Sequence, residues 1–496
     1  MSLRCDVAII GGGADGLAAA ALLGQSGLKA IVLERNVRVG GRCTTREFHP
    51  GFRASPFADE IAPIPAVLHW ALDLSRRGAI FVPARAATAL WPDGSRAERL
   101  AEEGRLFDQA RAKASEVRER AGKPKAPVPW YAWLAAQPDD PWPAAEWKAR
   151  SVSDVVWAAG TDPRAAALAI ACATASRAVD PFQSGSALHL LAPGSGGSGI
   201  VMGGLGTLAT SLEAAARSAG ADIRCGLEVG EVRHRRGRAA GVSLADGTEI
   251  EAAAVLSTLD LRRTFAALFK WSALPKDVTA RLAAYRMSGA TARILFALSS
   301  APQLAPHILR APIFIAPDAE TFRVAHSAWS QSLIPEIPPI QLRCVSACDP
   351  SLAPIGAATL TATVGCIPYK LFDGPWAHEK REALLNTVLK AIDAVIANFS
   401  QTVLAADVLV PPDIEHQIGC SEGDLDGGEI APDQMFGARP GLRIAPPRTF
   451  LRGLYLAGRS TPTGPLATCA AGTIAARAII ADFAGRRMKR AGRADD

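Results

Sequence analysis

The sequence predicts an α/β fold, and three observations predict it. The chain opens on a strand–turn–helix–strand pattern, closes on a strand–loop–helix pattern, and mixes helices with short strands between them. With 496 residues, 49% of them hydrophobic and 21% charged, it has material for an ample core and two or three domains.

In the opening pattern, "DVAIIGG" is a short apolar, β-rich run. "GADGLAAAALLGQSG" is an Ala/Leu helix closed by Gly27, and "KAIVLER" is a second strand. Gly11, Gly13 and Gly16 satisfy G-x-G-x-x-G at the strand-to-helix turn. The first allows a tight turn, the second lets backbone approach a pyrophosphate, and the third lets the helix lie close to the strand. Ala14 and Asp15 start the helix, whose amides and positive dipole end face phosphate oxygens. Glu34 ends the second strand, 18 residues after Gly16, where an acid accepts hydrogen bonds from ribose hydroxyls; Arg35 follows it. In "RNVRVGGRCTT", Gly40 and Gly41 form a second glycine turn that approaches the same ligand, and Arg42 offers a fork of donors to its phosphates. An ordinary loop is the alternative for this stretch.

Further along, residues 98 to 122 read as a charged helix, and a Pro/Trp stretch follows. Five tryptophans, Trp130, Trp133, Trp142, Trp147 and Trp157, serve either as a cap of packed aromatics or as an apolar substrate wall. Residues 195 to 205, "SGGSGIVMGGL", read as a Gly-rich linker. A helix, "GTLATSLEAAARSAG", and several short strands come next, with a hairpin turn at Asp246 and Gly247. From about 262 to 415 helices and strands mix with many prolines.

Composition excludes several function classes. No apolar run reaches the roughly 18 residues of a membrane span. The first strand starts at Cys5, too early for a signal peptide, so a cytoplasmic location is expected. Nine cysteines without a CxxC pair or a histidine cluster point to a reduced compartment and no metal site. A net charge of +6 is modest and offers no nucleic-acid footprint. Its densest part, "GRRMKRAGR" near the C-terminus, reads as a solvated, frayed end or as peripheral contact with an anionic membrane surface.

The opening segment resembles the N-terminal signature of the FAD-dependent amine-oxidase and phytoene-desaturase clan: GxGxxG, then Glu, then GGR. "MGGLGTLATSLEAAARSAGADIRCGLEVGEV" is similar to the clan's middle segment, which implies that Val229 gives backbone contacts to the adenine. "RGLYLAGRSTPTGPLATCAAGTIAAR" resembles its closing strand, loop and helix, which implies that Gly458, Arg459, Pro465 and Leu466 lie at the flavin end. "GEIAPDQMFGARP" and "VLSTLDLRRTF" resemble the phytoene-desaturase-like branch. Two departures, "PTGPLAT" in the final loop and Gly427 in place of a histidine, fall near the substrate side of the flavin.

The resemblance and the first unit together imply a Rossmann-like FAD-binding domain from residues 1–75, 190–265 and 415–496. Inserted into it is a mixed α/β substrate domain with a helical cap, from 76–189 and 266–414. FAD is the expected cofactor, and the expected function is desaturation or oxidation of an apolar small molecule, polyene-like substrates included. Electrons then pass to oxygen, a quinone or another acceptor, since no second nucleotide fingerprint marks an NAD(P) site. An FAD-dependent amine or amino-acid oxidase is one alternative. Against it stand four tyrosines in the whole chain, and Ala292 or Arg293 where a lysine is common. A non-enzymatic partner-binding protein of the same fold is the other alternative, and the intact fingerprint argues against it. The oligomeric state is left open.

Asp59 and Glu60, in "FRASPFADEI", are candidate bases for proton removal, if burial raises a carboxyl pKa. The plainer reading of both is the N-terminus of a surface helix. His189 reads as a packed histidine, and Cys469 falls within the closing helix pattern rather than at a matching position for a flavin link.

Overall fold

The computed structural model of the chain describes residues 3–62, 64–98, 148–158, 162–191, 199–435, 438–440, 447–465 and 467–491. Two seven-stranded sheets organise them. In the first sheet, Leu3–Ile10 lies between Ala30–Glu34 and Glu249–Ser257, parallel to both. Asp222–Cys225 adds beside Ala30–Glu34, and Leu454–Leu456 beside the end of Glu249–Ser257, again in parallel. The strands Val229–Arg235 and Arg238–Leu244 complete the sheet as an antiparallel ribbon.

The parallel strands read as continuous apolar runs because both faces are covered. Val7, Ala8, Ile9 and Val32 are fully buried. The helices Ala14–Gln25, Leu205–Ser218 and Ala470–Ala491 cover one face, and Leu17, Leu208, Leu212 and Ile479 pack there in one cluster. Ala18 to Ala21 have no exposure at all, so the first helix packs against both of its neighbours along an alanine surface. That surface combines high helix propensity with close approach.

The second sheet runs Val403–Leu409, Ala292–Leu298, Ala358–Val364, Ile340–Cys344, Ile313–Ile315, Thr88–Leu90 and Arg96–Glu98. Side chains alternate across its faces. Ile294, Phe296, Leu342, Leu360 and Ala362 form an apolar face against Leu384, Val388 and Ile392 of the helix His378–Asp393. The opposite face carries Arg293, Thr359, Thr361, Thr363, Gln341 and Arg343, and it is turned toward residues 46–62 of the first unit.

Several sequence expectations need correction. The stretch read as a Gly-rich linker holds a strand, Gly199–Val201, which pairs antiparallel with Phe81–Pro83; Gly199 also pairs with Ile61. Backbone hydrogen bonds, not side chains, hold that segment, which is why its glycines disguised it. The closing helix includes the first part of the basic tail, to Ala491. Cys469 sits just before that helix, with φ of 63°, and its thiol donates to the Ala14 carbonyl at 3.6 Å. Burial pushes the thiol pKa well up, which leaves it unsuited to attack on a flavin.

The charged helix expected over 98 to 122, the four tryptophans Trp130, Trp133, Trp142 and Trp147, and Leu466 lie outside the described residues. Trp157 ends the helix Val152–Trp157 and rests 5.6 Å from the Phe182 ring. His189 is buried, and desolvation lowers its pKa to about 3, so the imidazole is a neutral, packed group. No helix among the described residues is long and apolar enough to cross a membrane.

Candidate functional site

A cleft of about 560 Å³ opens where the first sheet's parallel strands end and the second sheet's polar face begins. Ligands of open α/β sheets bind at this edge, beyond the carboxyl ends of the strands. Ile10, Leu33 and Glu34 bring two strand ends to it, while Thr258 and Gly458 follow two others.

At one end the glycine turn behaves as its spacing predicts. A Cβ on Gly16 would lie 2.2 Å from the Gly11 carbonyl oxygen, so only glycine lets the helix start this close. A Cβ on Gly13 would meet nothing within 4 Å, because its backbone forms the floor of open space. The second turn lies on the first: the Gly40 amide donates to the Gly12 carbonyl at 2.9 Å, and Gly13 and Gly40 form a β-bridge. Gly41 reaches the same floor, where an added Cβ would meet the Gly13 Cα at 3.4 Å.

Glu34 is buried, and its carboxylate accepts from the amides of Gly12 at 2.8 Å and Asn36 at 2.9 Å, one bond to each oxygen. Each oxygen keeps acceptor capacity for a ligand hydroxyl. Val229 and Glu228 line the cleft beyond it. Arg35 lines the cleft too, but its guanidinium donates to the His416 carbonyl at 2.6 Å and ties this unit to the helix Pro411–Ile418.

Asp15 and Ala14 face the cleft at the start of the first helix. The Gly472 amide donates to Asp15 at 2.8 Å, which joins the first turns of the first and last helices. Burial raises the Asp15 pKa to about 6, against an ordinary 3.8. A carboxyl raised in the folded state favours folding while protonated, and that contribution is lost as pH rises through about 6. Asp15→Asn is therefore expected to flatten the dependence of melting temperature on pH between about 4 and 6, read by thermal scans across that window.

The middle of the cleft is cationic. Asp426 pairs with Arg177 at 2.7 Å and with Arg459 at 2.7 Å. Burial alone would raise the Asp426 pKa, but the two guanidiniums hold it well below the usual carboxylate range. Arg42, half-buried alongside and donating to the Leu425 carbonyl, is lowered by desolvation to about 10 and remains charged at neutral pH. Three guanidiniums thus stand around the Asp426 carboxylate. The Arg459 Nε is buried without a hydrogen-bond partner among the described residues. Asp424 fixes the loop beneath by accepting from the amides of Ser288, Asp426, Gly427 and Gly428. Gly458, with φ of 86°, and Pro465 line the cleft beside Arg459.

At the far end, Arg293 and Asp59 form a bidentate pair at 2.7 and 2.8 Å, with side-chain exposures of 2% and 11%. Thr361 donates to the same carboxylate at 2.8 Å, and Arg293 also donates to the Thr363 hydroxyl. Glu60 pairs with Arg343. Neither acid stands at a surface helix N-terminus: both lie on a bend, drawn inward by the two arginines of the second sheet. Asp59 already accepts three hydrogen bonds as an anion, which commits it to holding the wall.

The structure gathers Gly11, Gly13, Ala14, Asp15, Glu34, Arg35, Gly41, Arg42, Asp59, Glu60, Val229, Gly458, Arg459 and Pro465 on one cleft. Gly16 lies beneath the floor, against Gly11. Sequence reasoning missed Arg177, Asp424, Asp426, Gln341 and Thr363. The strict Thr alternation in "TLTATV" and the turn-forming "GDLDGG" were the signals available.

A dinucleotide fits what is present. Amides at the start of the first helix begin at Gly13, the guanidiniums of Arg42, Arg177 and Arg459 follow, and the buried Arg459 Nε lacks a partner among the described residues. The carboxylate for a ribose stands at the other side of the amides.

Comparison with known proteins gives the same direction. The family model described as flavin containing amine oxidoreductase matches residues 16–365. The mouse protein named pyridine nucleotide-disulfide oxidoreductase domain-containing protein 2 is 27% identical, over 96% of this chain and 94% of its own. A 4,4'-diaponeurosporene oxygenase of Staphylococcus aureus is 24% identical over 53% of this chain and 51% of its own. Among solved structures, a putrescine oxidase bound to putrescine has the same fold, with a TM-score of 0.64 at 16% identity, covering 97% of this chain and all of that one.

Proposed function

The chain belongs to the flavin-containing amine oxidoreductases and takes FAD as its cofactor, and from that premise we propose that it desaturates or oxidises an organic molecule with an apolar body. FAD, when bound, supplies a two-electron acceptor for a C–H or C–N bond. The chain's residues divide the remaining work. Glu34 holds the ribose, the amides from Gly13 to Asp15 hold the pyrophosphate together with Arg42 and Arg459, and the Val229 backbone meets the adenine. Gly458 and Pro465 bound the flavin end. The first sheet and its helices form the FAD-binding domain, and the second sheet with residues 148–191 forms the substrate domain.

The observation that carries this reading is the make-up of the cleft's far end. Phe57, Ala58, Ile61, Ala62 and Leu205 give it an apolar side, and Phe57 is the one aromatic among the described lining residues. An amine oxidase of the paired-aromatic kind needs two rings flanking the amine. The position where a lysine is common carries Ala292 or Arg293, the one apolar and the other already committed to Asp59. Electrons leave for oxygen, a quinone or another acceptor.

The purified protein is expected to carry flavin absorption bands that bleach on anaerobic photoreduction and return when air is readmitted. Protein that shows no bands even after FAD is added would overturn the reading. The family description also favours a second reading, oxidation of an amine. Peroxide release with a panel of amines, absent with apolar C–H substrates, would establish it in place of the first.

A further inference from the structure

The second sheet presents an ordered polar row to the cleft. Arg293, Thr363 and Gln341 are direct cross-strand partners on three adjacent strands, so their side chains share one face. All three line the cleft. Their neighbours two residues along are Thr361 and Arg343, again on that face.

The charges on this wall are balanced. Arg293 is matched by Asp59, and Arg343 by Glu60, with the Arg343 guanidinium also donating to the Arg310 carbonyl at 3.0 Å. A substrate carboxylate would need an uncommitted cation here, and an ammonium group would need an uncommitted anion. Neither stands among the described residues of the far wall. The groups left over are neutral. The Gln341 amide makes no hydrogen bond to any described residue, and the Thr363 oxygen accepts from Arg293, which leaves its proton to donate. A bare hydrocarbon seated against them would strip water from an amide and a hydroxyl without replacing its hydrogen bonds.

We propose that the far end of the cleft recognises a neutral oxygen function of the substrate, an alcohol or a carbonyl, through the Gln341 amide and the Thr363 hydroxyl. The proposal rests on the reading of the chain as an FAD oxidoreductase with its substrate at this end. Arg293 and Asp59 are positioning residues: their ion pair fixes Thr363, and the strand register places Gln341 beside it. The apolar body of the substrate lies along Phe57, Ile61 and Leu205 while its oxygen is read by the sheet.

The test titrates the FAD-loaded protein with the octyl alcohol, methyl ketone, amine, carboxylate and alkane of equal chain length, following the flavin spectrum. The alcohol and ketone are expected to bind about tenfold more tightly than the other three, the worth of one well-made neutral hydrogen bond. Gln341→Leu is expected to abolish that preference while flavin content stays at the wild-type level. Gln341→Glu, which adds an uncommitted anion, is expected to move the preference to octylamine. Equal or tighter binding of the amine, carboxylate or alkane by the wild type would overturn the proposal. So would the absence of any spectral response, or a Gln341→Leu variant that keeps the preference. Wild-type protein that cannot hold FAD fails the underlying reading instead, and the two failures are told apart by the absorption spectrum alone.

Discussion

Gly16→Val is expected to give a chain that holds no flavin and melts well below the wild type. The first helix starts so close to the turn that a Cβ at this position would lie 2.2 Å from the Gly11 carbonyl oxygen, backbone against side chain with no flexible group to yield. The helix must move away from the turn, and it takes the Gly13 amide floor and Asp15 with it. Overpacking of this kind costs about 1–3 kcal/mol in ordinary cores. Here the upper end is expected, because backbone rather than a side chain must shift. Flavin-to-protein absorbance ratio and melting temperature together read the effect. Gly485→Ala is the control: nothing lies within 4 Å of its added Cβ in the closing helix, so stability should hold or rise by up to about 1 kcal/mol. A Gly16→Val protein with full flavin content would mean that the close approach is not needed.

Arg293→Met is expected to be the most damaging single change on the second sheet. It removes the partner of a carboxylate that is only 11% exposed and leaves the charge of Asp59 without compensation. Breaking a buried pair from one side costs about 3–5 kcal/mol, whereas replacing both partners with apolar groups is often neutral. The double variant Arg293→Met with Asp59→Leu should therefore recover most of the loss. Denaturant unfolding of the wild type, both single variants and the double variant gives the coupling directly. Additive losses, or a loss near zero for Arg293→Met alone, would mean that the pair does not act as a buried unit.

The two stretches that resembled known motifs were legible because their physics is local. A glycine turn, the helix after it and the acid at the next strand end all fall within residues 11 to 34. Spacing along the chain therefore stands in for distance in space. The closing strand and its loop were read by the same logic. The polar wall is different. Arg293, Gln341 and Thr363 come from strands that are neighbours only through the sheet's register, and Asp59 reaches Arg293 across 234 positions. Single arginines inside apolar strands such as "ARILFAL" look like exposed edges until the pairing order is known. The Asp59 and Glu60 misreading has the same source: a pair of acids after a proline fits a helix start, and only the distant arginines turn them inward. Asp426 was hidden because its meaning depends on Arg177 and Arg459, which lie far away on either side in sequence.

The contact between Asp15 and Gly472 joins positions 457 residues apart. The cofactor groove is bounded by both. The glycine turn precedes its closing segment by most of the described chain, and until that segment is in place the first helix has one of its two helical neighbours, Leu205–Ser218, but not the other. A chain lacking the closing helix thus leaves one side of the first helix uncovered. Loading with FAD therefore waits on the segment that carries Gly472, and a chain truncated before it cannot complete the groove.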